Sequence, residues 1–82
     1  MSEALEVRIE LAWCVLRGLH PSTRRTLHLT PRGAIVGFKS SQGLPMGAME
    51  IGTYTRAIEL DELRQHVFFV WNEMQEPSHG RR

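Results

Sequence analysis

The residues that could do chemistry in this 82-residue chain are one cysteine, four histidines and a scatter of carboxylates. Cys14 could pair with His20, His28, His66 or His79 as a thiol–imidazole couple, but no catalytic cysteine signature surrounds it. A lone cysteine is more often a small packed residue than a nucleophile. A structural zinc site needs four ligands in short paired spacings, and neither Cys-x-x-Cys nor His-x-x-x-His occurs. Gly43 and Gly47 stand in a loop without the Lys-Ser/Thr that completes a phosphate cradle. Asp61 and Glu62 fall in the first turn of an expected helix, where negative charge complements the helix dipole. With Glu73 they make a charged helix face, not a carboxylate pair in a cleft. The expectation is a protein without catalytic residues, metal or cofactor.

Binding is better supported than catalysis. Residues 59–76 carry Leu60, Leu63, Val67, Val70, Trp71 and Met74 at spacings of three and four, one apolar stripe on a helix. Phe69 lies nearly opposite that stripe, among Glu62, Gln65, Asn72, Glu73 and Glu76, and Phe68 sits at the edge of the polar face. A helix that only covered its own core would not need Phe69. Exposed aromatic residues are enriched at the centres of protein interfaces. Phe68 and Phe69, flanked by Glu62 and Glu73, are therefore the expected partner-binding residues, with a homodimer as the simplest use of the face. The structural alternative is a second helix that covers Phe69 from within the chain.

Charge is uneven although the net value is only +1. Residues 20–58 hold Arg24, Arg25, Arg32, Lys39 and Arg56 against Glu50, whereas residues 59–76 hold five acidic residues against Arg64. Arg24, Arg25, Arg32 and Arg56, with Tyr54 and Phe38 available for stacking, could bind nucleic acid. The near-neutral total and the acidic helix weigh against a dedicated binder. A solvated strand face explains the same residues.

These surfaces need a scaffold. A chain this short forms one domain and buries only about 60–65% of its unfolded surface, so self-association is a natural supplement. Residues 1–76 read as a single α+β domain and residues 77–82 as a flexible tail. Residues 5–15 alternate apolar and polar, which predicts a strand. A helix fits them too, but would place Arg8 in the middle of its apolar face. Residues 25–30 alternate and read as a strand, and residues 34–39 return as its partner after Thr30-Pro31-Arg32-Gly33, a β-turn with proline second and glycine fourth. Residues 40–47 read as an exposed loop, and residues 48–56 as another strand with Gly52 marking a bulge. The expected fold is a small antiparallel meander of three to four strands packed by one C-terminal helix, the alternative being an N-terminal helix in place of the first strand. The single cysteine and the absence of a signal-like or bilayer-length apolar run favour a cytoplasmic, membrane-free protein. The aromatic helix face and the small size make the expected function a protein-binding regulator, adaptor or inhibitor of bacterial or phage type.

Overall fold

The structure, a computed structural model, describes residues 2–37 and 43–75. The elements run α1 (Ser2–Arg17), β1 (Arg25–Leu29), β2 (Ile35–Gly37), β3 (Met49–Tyr54) and α2 (Leu60–Gln75). The α+β class, the antiparallel sheet and the packed C-terminal helix are as expected. Phe38, Lys39 and the tail lie outside the described residues.

Residues 5–15 are helical, so the predicted first strand is corrected to α1. The physical reason is visible at Arg8. Its Nη1 donates to the main-chain oxygens of Arg32, at 3.2 Å, and Gly33, at 3.0 Å. The turn carbonyls thus satisfy a cation that looked misplaced on a helix. The helix ends through bonds from Gly18 N to Val15 O and from Leu19 N to Leu16 O, the tightened last turn of a 3₁₀-type finish.

The hairpin forms where the turn signal places it. Gly33 N donates to Thr30 O at 2.8 Å, and Thr30 N donates to Ala34 O. Gly33 has φ 86°, a left-handed conformation that glycine adopts without steric cost. A side chain there would also press on Arg8 at 3.1 Å.

The strand order is β2-β1-β3, which corrects the meander: β1, not β2, is central. β3 pairs antiparallel with β1, and the register slips between Leu27 and His28, opposite Gly52 and Glu50. The bulge therefore falls beside the glycine that suggested it. A Cβ on Gly52 would stand 2.6 Å from the hydroxyl of Tyr54, so the bare backbone makes room for that ring.

Both helices cover one face of the sheet. Leu5, Ile9 and Leu16 from α1 join Leu63, Val67 and Val70 from α2 over Leu27, Leu29 and Tyr54, forming one buried cluster. Trp13 Nε1 donates to Ile58 O at 3.0 Å, which anchors α1 to the segment that leads into α2. Arg64 Nε donates to Glu6 at 3.0 Å and ties the helices along their solvent side, while the same guanidinium also reaches Asp61.

Candidate protein-binding surfaces

Phe69 projects from the outer face of α2. The apolar stripe of that helix points inward, with Leu63, Val67 and Val70 buried and Leu60, Trp71 and Met74 packed beside them. Phe69 remains 67% exposed. α1 does lie in the same layer, as the covering alternative required, yet it packs against the other flank of α2 through Glu6 and Arg64. Phe68 is different. It is partly buried and packs against the core, so it serves the fold and leaves Phe69 as the free aromatic of the pair. Glu62 is exposed and Glu73 half-buried on the same helix, which gives Phe69 an acidic surround.

A second apolar surface was hidden by the strand reading. Val7, Leu11 and Val15 on α1 are 53%, 61% and 62% exposed. They recur every fourth residue, so they share one helix face, away from Leu5, Ile9 and Leu16. Alternation of period two, laid on a helix, puts apolar residues on both sides. A check for spacings of four among Val7, Leu11 and Val15 is the sequence signal that reveals this stripe.

The four candidate arginines do not make one patch. Arg25 pairs with Tyr54 at one end of β1, and exposed Arg24 and Arg56 lie in the segments just beyond that end of the sheet. Arg32 lies in the turn beyond the other end of β1. At about 3.3 Å per strand residue that is on the order of 20 Å away. Arg25 is half-buried, its aliphatic stem lying over Gly37.

The most reactive-looking side chains form a structural tie. Tyr54 Oη and His66 Nδ1 share a 2.7 Å hydrogen bond, and their rings stack with centroids 5.8 Å apart. Burial, with Glu62 and Glu50 nearby, pushes the Tyr54 phenol up to about 12. A phenol that holds its proton so firmly is the reverse of a base or nucleophile poised near neutral pH. His20 bonds Ser22, and Cys14 is an exposed free thiol on α1, so neither hydrogen-bonded histidine engages it. Among the described residues no group of three or more His, Cys, Asp or Glu could hold a metal ion. No helix among them is long and apolar enough to cross a membrane. Comparison with protein-family models, with curated proteins and with solved structures finds no match for this chain.

Proposed function

We propose that this chain is a small, non-enzymatic, cytoplasmic protein-binding module, a regulator, adaptor or inhibitor that acts as a homodimer and grips its target on the outer face of α2. The observation that carries this reading is Phe69, 67% exposed on a helix whose own apolar stripe is already covered. A large exposed ring offers contact area at low entropic cost. Glu62, about two turns away on the same face, supplies charge that selects and steers a partner bearing a basic or hydrogen-bond-donating rim. The free thiol of Cys14 suits a reducing compartment.

Replacing Phe69 by Asp tests the reading. The variant should keep the wild-type circular dichroism and melting behaviour, because the side chain is not core, and should lose the proteins that the wild type captures. A Phe69→Asp chain that captures the same proteins would sink it.

A second reading, nucleic-acid binding, draws on Arg24, Arg25 and Arg56 at one end of the sheet, with Arg32 excluded by distance. It expects retention on a polyanion column that weakens with added salt. Elution in dilute buffer would dismiss it.

A further inference from the structure

Helix α1 is apolar on two sides, and only one of them faces its own core. Leu5, Ile9 and Leu16 are 4%, 0% and 1% exposed, while Val7, Leu11 and Val15 stand largely in solvent. Ala4 and Cys14 occupy the same outer face, Gly18 follows in the turn that ends the helix, and all three are exposed. Ala4, Val7, Leu11, Cys14 and Gly18 follow one another at intervals of three, four, three and four, the spacing of a helix seam that meets another helix.

We propose that a second copy of this chain covers this face, the two α1 helices running antiparallel about a two-fold axis at Leu11. The pattern is self-complementary about that residue. Val7 and Val15 lie four positions to either side, and Ala4 and Gly18 lie seven. An antiparallel pair sets Val7 against the partner's Val15 and Leu11 against the partner's Leu11, with small residues at both ends where the helices approach. Charge is compatible with the same direction. Glu3, Glu10 and Arg17 are exposed on one flank of the stripe, with the Arg17 guanidinium over the Trp13 ring. Antiparallel pairing brings Glu3 toward the partner's Arg17 twice and Glu10 toward the partner's Glu10 once, so two attractive contacts stand against one repulsive contact.

The surface beside the stripe is shaped to receive side chains. An open groove of about 290 Å³ separates α1 from β2, lined by Leu11, Ala12, Val15 and Ile35 among others. It adjoins a second groove that reaches the core residues Leu16 and Leu27. β2 is an edge strand, so its outer backbone groups are also unpaired within the sheet. A stable two-fold contact takes about 800 Å² from each copy, roughly a seventh of the 5707 Å² surface of this chain. The α1 stripe, the groove and β2 lie side by side and can contribute to such a contact together, whereas one isolated phenylalanine is too small for it.

The inference shares with the proposed function only that the chain pairs with itself, and it is independent of Phe69. Sedimentation across a concentration range, with circular dichroism on every variant, tests it under reducing conditions. The wild type and Phe69→Asp should be dimers of equal affinity. Leu11→Asp should remain helical and dissociate at least about 30-fold more readily, because a charge at the centre of an interface occurs in both copies. A wild type that stays monomeric, or a Leu11→Asp chain that dimerises normally, overturns the proposal. If Phe69→Asp alone is monomeric, self-association stands but runs through α2, and the α1 interface falls. A cross-link makes the test independent of the charge substitution. Leu11→Cys in a Cys14→Ser background should oxidise to a covalent dimer. Cys14 in the wild type should not, since antiparallel pairing separates the two thiols by about 9 Å along the axis. Efficient linkage through Cys14 would mean parallel helices and overturn the arrangement.

Discussion

Helices α1 and α2 have the same length, lie in the same layer and contribute to the same core, yet they treat solvent differently. α2 is a one-sided helix. Its inner stripe is buried, its outer side is acidic and polar, and Phe69 interrupts that side alone. α1 is two-sided, with a continuous row of exposed aliphatic residues behind the buried one. The contrast separates two uses of exposed apolar surface. A row backed by a groove can hold a second helix along several turns, whereas an isolated ring in a polar surround can anchor a smaller and more selective contact.

The comparison breaks first if the two inner faces are not equivalent. Ile9→Ala in α1 and Leu63→Ala in α2 each empty a fully buried site and should each destabilise the fold by about 2–5 kcal/mol, read by chemical denaturation. A small effect for Ile9 alone would mean that α1 is only loosely docked. The next effect belongs to the tie between β3 and α2. Below pH 10 Tyr54 is protonated in both folded and unfolded chains, so its contribution is complete. Between pH 10 and about 12 the unfolded chain releases this proton and the folded chain does not, so stability should fall as pH rises, by about 1–2 kcal/mol across the window. Tyr54→Phe should abolish that fall and cost about 1 kcal/mol at neutral pH for the lost hydrogen bond to His66. The smallest effects should come from the outer faces. Leu11→Ala and Phe69→Ala, measured at concentrations where the chain is monomeric, should change stability by no more than about 0.5 kcal/mol. A larger loss for either would move it from the surface into the core.

Much of this architecture was legible along the chain, and the failures have definite causes. The stripe of α2 has a single period and caps by charge, so its extent was readable to within a residue. The hairpin rests on Thr30, Pro31 and Gly33, whose backbone preferences are local and few. Gly52 signalled the bulge for the same reason. Residues 5–15 failed because their apolar residues satisfy both periods. Arg8 then tipped the reading toward a strand, since a cation on a helix face needs a partner that local sequence cannot supply. The strand order failed because adjacency along the chain favours a meander, whereas the hairpin leaves the outer edges of both β1 and β2 open and only packing across the sheet decides which one β3 joins.

The candidate surfaces divide along the same line. That Phe69 stands apart from its helix stripe follows from periodicity alone, because a residue nearly opposite a buried face has nowhere within the helix to hide. Tertiary structure decided the rest. It placed α1 on the flank of α2 away from Phe69, packed Phe68 partly against the core, and parted Arg32 from the other arginines by the length of a strand. It also turned one face of α1 outward beside an open strand edge. Composition and spacing determine which faces a segment possesses. Only the packing of all segments together, under the demand that one small core be covered from one side, determines which face is left over.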